Sequence, residues 1–169
     1  RGYTYEYDYE NRLTAVKEGV ALVAQFEYDV LGRRIEMKDE IADITTRYYY
    51  DGQRILLETD YDTTETDVRY YIYGNYIDEV LAKTEDACDI YYTHDHLFSV
   101  VALMDESGDV IERYEYDAYG SPTIYDDDFS QTYDTSQYSN PYLFTARRVD
   151  FLDTANLALQ YNRNRYYDY

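Results

Sequence analysis

Four groups of residues in this chain carry side chains able to do chemistry. Asp60-Tyr61-Asp62-Thr63-Thr64-Glu65-Thr66-Asp67 opens with the D-x-D-x-T spacing of a calcium loop, in which alternate oxygens ring a hard cation. It lacks the glycine at the sixth position, and Tyr71 stands where the twelfth-position acid would be. A second acidic run is Asp126-Asp127-Asp128. Both fall between strand patterns and read as solvated loops, so calcium is the one cofactor left open and no other is expected. His94-Asp95-His96 puts two imidazoles on one face of an extended chain, but no third zinc ligand accompanies them. Ser99, Ser107, Ser121 and Cys88 lie in no nucleophile elbow, and no glycine-rich phosphate loop occurs. The residues point away from an enzyme.

The elements that would position these groups are repetitive. Tyr7-Asp8, Tyr28-Asp29, Tyr50-Asp51 and Tyr116-Asp117 share one dipeptide, and Tyr73-Gly74 and His94-Asp95 fill the gap as degenerate copies. The steps between them are 21, 22, 23, 21 and 22 residues, a period that marks an array of one supersecondary unit. An aromatic precedes each copy by two places: Tyr5, Phe26, Tyr48, Tyr71, Tyr92 and Tyr114. Period-2 alternation puts both rings on one strand face. The Asp, followed by Asn11 or Gly32, supplies turn geometry, and a basic residue (Arg12, Arg33, Arg54) then opens the return strand. Each unit is one β-hairpin, with a second turn leading to the next. His94 stands where other copies have Tyr, so it reads as a repeat variant and not as a metal ligand. With 26 Tyr, no Trp and no sustained helical spacing, the fold class is all-β: antiparallel hairpins in one long curved or spiralling sheet.

Composition narrows the partners. A formal net charge of −20 opposes contact with nucleic acid, whose binders neutralise phosphates with Lys and Arg, and with anionic lipid. The acid discourages edge-to-edge association of a strand-rich chain. No apolar run is long enough to span a membrane as a helix. Cys88, the single cysteine, cannot form an intrachain disulfide and is expected to be buried and inert. The strand pattern begins and ends abruptly, which suggests a segment of a larger sheet whose edges pair with other parts of the same polypeptide or with identical subunits. Rows of Tyr beside Asp and Asn also admit a sugar-binding surface, although regular spacing assigns most rings to structural slots.

The repeat resembles the YD repeat of Rhs-type proteins, a group that includes teneurins and shell subunits of insecticidal toxin complexes. The later part is similar to the Rhs repeat-associated core: Tyr116-Asp117-Ala118-Tyr119-Gly120-Ser121-Pro122, then Asn140-Pro141-Tyr142-Leu143-Phe144-Thr145-Ala146-Arg147-Arg148, then Tyr161-Asn162-Arg163-Asn164-Arg165-Tyr166-Tyr167-Asp168, in family order. Ala146 replaces the usual Gly, and a longer stretch, Asp150 to Leu159, replaces the family's short link. The resemblance implies three parts: a YD-repeat hairpin array over 1–122, an acidic loop or insertion over 123–139, and a core-motif segment over 140–169. It implies structural roles for Tyr7, Asp8, Tyr28, Asp29, Gly32, Arg33, Tyr50, Asp51, Tyr116, Asp117 and Gly120. In the core motif it implies them for Asn140, Pro141, Phe144, Arg147, Arg148, Arg163, Arg165, Tyr166, Tyr167 and Asp168, with the last arginines inside an end cap. In relatives such sheets form a hollow shell housing a C-terminal toxin, on a secreted or cell-surface protein. The family's self-cleavage segment would lie after Tyr169, so no catalytic residue is expected here. The expected function is a shell wall around a toxin cargo. A self-assembling fibre or tube is the alternative, and a carbohydrate-binding adhesin comes after it.

Overall fold

The computed structural model describes residues 2–61, 66–76 and 78–168. Thirteen strands form one antiparallel sheet in chain order: β1 (Tyr3–Tyr7), β2 (Leu13–Glu18), β3 (Ala21–Tyr28), β4 (Arg34–Asp39), β5 (Ile44–Asp51), β6 (Arg54–Tyr61), β7 (Thr66–Tyr73), β8 (Val80–Glu85), β9 (Cys88–His94), β10 (Val100–Met104), β11 (Val110–Tyr116), β12 (Pro122–Tyr125) and β13 (Thr132–Tyr133). Within the 123–139 stretch, expected as an acidic loop or insertion, the end of β12 and the two-residue β13 continue the sheet. A second sheet contains β14 (Arg148–Leu152), β15 (Leu157–Tyr161) and β16 (Tyr166–Asp168), preceded by a 3-10 turn over Phe144–Ala146.

One turn recurs along an edge of the large sheet. At Asp29 the side-chain Oδ1 accepts the backbone N–H of Leu31 (2.8 Å) and Arg33 (2.9 Å). The Asp29 N–H donates to the Arg33 carbonyl, and Gly32 N–H donates to the Asp29 carbonyl. The same four bonds close the turns at Asp8, Asp95 and Asp117. The fourth turn residue adopts the left-handed conformation each time, at Asn11 (φ 60°), Gly32 (78°), Phe98 (64°) and Gly120 (93°). The carboxylate thus satisfies two turn N–H groups that would otherwise have no partner. Asp105 builds the identical turn on the opposite edge, between β10 and β11, outside the Tyr-Asp register. Asp51 departs from the set: it pairs with Arg54 across a two-residue Gly52-Gln53 connection.

Register shifts recur one step before these turns. The β1–β2 pair moves from Glu6↔Ala15 to Tyr7↔Leu13, and β3–β4 from Glu27↔Glu36 to Tyr28↔Arg34. Pairs β5–β6 and β7–β8 shift in the same place. Each extra residue is a β-bulge, which bends its strand and raises the local twist, so the repeated bulges curve the sheet, although β11 and β12 pair without one. The skipped residues, such as Ile35, Leu56 and Leu81, turn outward, while Phe26, Tyr48, Tyr71, Tyr92 and Tyr114 are buried on the inner face.

The second sheet covers that inner face. Leu152, Leu157 and Leu159 pack with Leu13, Val16, Val23 and Phe26, while Tyr142, Leu143 and Val149 pack with Tyr48, Tyr71, Tyr92 and Tyr114. The 140–168 stretch therefore supplies apolar cover that a lone curved sheet lacks. Cys88, expected to be buried, is exposed, because it opens β9 at a hairpin tip beyond the covered face.

Gly120 couples the recurring turn to this cover. A Cβ there would lie 2.5 Å from the Phe144 ring, in addition to the strain at φ 93°. Gly120→Ala is expected to cost about 2–3 kcal/mol, and Gly32→Ala, which faces open space, about 1 kcal/mol. Urea midpoints for the two variants measure the difference.

Candidate functional site at the seam between the sheets

Arg34 follows Arg33 at a slot that other repeats fill with Leu13, Ile55, Val80 or Val100. Its side chain is fully buried, and Ile35 is the outward bulge residue. Arg34 grips Asp150 of β14 with both terminal nitrogens, Nη2 donating to Oδ1 at 3.0 Å. Nη1 also donates to the Tyr166 hydroxyl at 3.0 Å. The guanidinium lies 4.4 Å from the Tyr161 ring centre and 4.8 Å from that of Tyr48. Aromatic faces thus replace the water that the buried cation gives up.

A second buried centre is Glu58. It accepts Arg69 Nε at 2.6 Å, Arg148 Nη1 at 2.5 Å and the Tyr71 hydroxyl. Arg148 Nε also reaches Asp150 at 3.4 Å. The seam therefore holds an alternating chain of charges, Arg69–Glu58–Arg148–Asp150–Arg34, running from β7 through β6 and β14 to β4. Burial would raise the Glu58 carboxyl, but the Arg148 and Arg69 charges and the Tyr71 bond overcome it and hold the pKa down to about 2. Such a network aligns two sheets. Both oxygens of Glu58 and of Asp150 are held by arginines, and Ser99 Oγ accepts the Thr145 N–H.

The repeat residues form a second, simpler network along the sheet. Arg12 and Arg33 each clamp the Asp of their own turn, Asp8 and Asp29, and not an acid across strands. Arg33 Nη1 then donates to the Gly52 carbonyl of the next hairpin at 2.8 Å, and its guanidinium stacks over Tyr50. Arg12 does the same towards Asp29 and Tyr28, and Arg54 towards Gly74 and Tyr73. In the reverse direction Tyr28, Tyr50, Tyr73 and Tyr116 hydroxyls donate to the carbonyls of Leu13, Arg34, Ile55 and Val100 in the preceding hairpin. Burial pushes the Tyr28 phenol up to about 12, so it remains a donor in mildly alkaline solution. Tyr7, in the first hairpin, is exposed.

The core-motif residues are spread over the seam. Buried Asn140 donates to the Tyr114 hydroxyl and accepts the Tyr142 N–H. The Pro141 carbonyl accepts the Val149 N–H, and Phe144 lies against Tyr116 and Gly120. Arg147 and Arg163 converge on Asp78, while Arg165, expected within an end cap, is exposed. Tyr166 is held between Arg34 and Tyr28, Tyr167 bonds the Tyr119 carbonyl, and Asp168 accepts the Tyr5 hydroxyl.

The described residues of both acidic runs make local contacts. Asp126 accepts the N–H and hydroxyl of Ser130, closing its own turn, although Asp126, Asp127 and Asp128 place oxygens within 4.8 Å of one another. In the first run Asp60 pairs with Arg69, and residues 62–65 lie outside those described. Asp95, between the two histidines, makes the recurring turn. Arg34, Glu58, Arg69 and Asp150 were missed from sequence. Aligning the repeats marks Arg34 and Glu58 as unusual, since Glu58 stands at the slot of Val16, Met37 and Leu103, and Asp150 lies outside the repeats.

A long curved meander of coupled hairpins, sealed on its inner face by the chain's own later segment, is a YD-type shell architecture. The teneurin YD-shell family matches residues 1–130, and the chain belongs to that family. It is 37% identical over 125 residues to the tRNA3(Ser)-specific nuclease WapA of Bacillus spizizenii and 35% identical to the tRNA nuclease WapA of Bacillus subtilis (strain 168). Each match covers 72% of this chain and 5% of the relative. Among solved structures it is similar to TcdB2-TccC3-Cdc42 (TM-score 0.71) and to the Photorhabdus luminescens Tc holotoxin pore (0.72). Each is 17% identical, and the match covers 98% of this chain and 8% of that one. Among the described residues no helix is long and apolar enough to cross a membrane.

Two outcomes test the seam. Arg34→Met should cost about 3–5 kcal/mol by leaving Asp150 buried and short of its main partner, and Arg34→Met with Asp150→Leu should recover much of it. Denaturant midpoints for the single and double variants decide this. Because the folded Glu58 pKa lies below its ordinary 4.5, its contribution is complete above that value and is lost as pH falls towards 2. Glu58→Gln should therefore be less stable at neutral pH and show a flatter acid limb by circular dichroism.

Proposed function

We propose that this chain is the closing part of the wall of a hollow shell on a secreted or cell-surface protein, enclosing a toxin segment of the same polypeptide. The observation that carries the reading is the asymmetry of the large sheet. β13 has two residues, after which the chain folds back onto the inner face, so this edge offers almost no backbone to a further strand. β1 presents a five-residue edge, where further wall strands would pair. A fibre growing head to tail needs two complementary edges, so the blunt β13 edge favours a closed wall. The likeness to the Bacillus nucleases and to the Tc holotoxin pore supports a toxin-related setting. The chain covers a small share of those proteins.

Electron microscopy of the native polypeptide is expected to show closed hollow particles. Tubes or fibres of uniform width would overturn the shell and make strand pairing at β1 the function to explain.

A further inference from the structure

An acidic molecule here gathers positive charge in one place. Between the turn edge of the large sheet and the second sheet lies a cavity of about 350 Å3. Its lining includes Arg33, Arg54, Arg147, Arg148 and Arg163, five of the 15 Lys and Arg in the chain, and a single carboxylate, Asp78. Two of these arginines are neutralised from outside the cavity, Arg33 by Asp29 and Arg148 by Glu58 and Asp150. Arg147 and Arg163 share Asp78 between them. Arg54 has no carboxylate partner among the described residues; it donates to the Gly74 carbonyl at 2.9 Å and rests over the Tyr73 ring. The wall therefore carries about two guanidinium charges more than its neighbouring carboxylates balance. Arg54, Arg147 and Arg163 are partly exposed and so open to a ligand, and guanidinium forks fit the planar or tetrahedral oxygens of carboxylate and phosphate.

We propose that this cavity binds a small organic oxyanion, bearing phosphate or clustered carboxylates, with Arg54 and the Arg147–Arg163 pair as its ligands. Its size falls in the range of small-molecule sites, and the rings of Tyr50, Tyr142 and Tyr161 line it beside the charged groups. This assignment is independent of whether the wall closes into a shell. Its ligands sit where the return strand of the third hairpin meets the segments flanking the second sheet, so an occupant would tie the sheets together. The acidic remainder of the molecule would repel an anion elsewhere, which makes the cavity selective by contrast.

Titration calorimetry of the intact protein with inorganic phosphate, and separately with citrate, at constant ionic strength tests it. Saturable binding at one site is expected for at least one probe; phosphate uptake names a phosphate ligand, and citrate uptake alone names a carboxylate one. Arg54→Gln and Arg163→Gln should each weaken binding at least tenfold. Arg54→Lys, which keeps the charge without the fork, should weaken it less, and Arg113→Gln, outside the cavity, should leave it unchanged. No saturable binding of either probe, or equal affinity in folded Arg54→Gln and Arg163→Gln, would overturn the assignment.

Discussion

Everything in this molecule turns on what covers the inner face of the large sheet. A meander of sequential hairpins satisfies its own backbone bonds, but one face of each strand still carries rings and aliphatics that must leave water. The chain has one segment able to cover that face, residues 140–168, and it must arrive in one register. Apolar packing alone is tolerant of sliding. The buried charges are not, because any shift would leave Arg34, Asp150, Glu58 or Arg148 unpaired in a low-dielectric seam. The alternating chain of ion pairs thus sets where the second sheet lies.

Along the sheet a different logic operates. The first three hairpins are each tied forward by an arginine that stacks on the next tyrosine and back by that tyrosine's hydroxyl. Those contacts need only the neighbouring hairpin, so the unit can be repeated without redesign. The recurring bulges make the array curve, and curvature gives the sheet an inside. In later hairpins the arginine position becomes Ser99 and Ser121, and Ser99 Oγ there receives the N–H of Thr145 from the covering segment. Coupling between hairpins gives way to coupling between sheets where the wall is sealed.

This division accounts for the family relationship. On the proposed reading, local rules extend the wall and one non-local device ends it. The Tyr-Asp turns supply the first. The short β13, the return of the chain and the Gly120–Phe144 contact supply the second.

The hairpin array, the turn positions and the inner-facing aromatics were legible in the residue order alone. They rest on interactions spanning a few residues: a carboxylate reaching N–H groups two and four places on, and side chains alternating along a strand. Even the odd members of the set, Asp95 after a histidine and the short Asp51 turn, could be placed by spacing. What the order of residues did not disclose was the fate of charged side chains within strands. Arg34, Glu58, Arg69 and Asp150 look like solvent-facing positions when only neighbours in sequence are considered. Their burial depends on partners 116 residues away for Arg34 and 90 for Glu58. Tertiary structure alone brings those partners close, because a charge can leave water only where a matching charge is delivered to meet it.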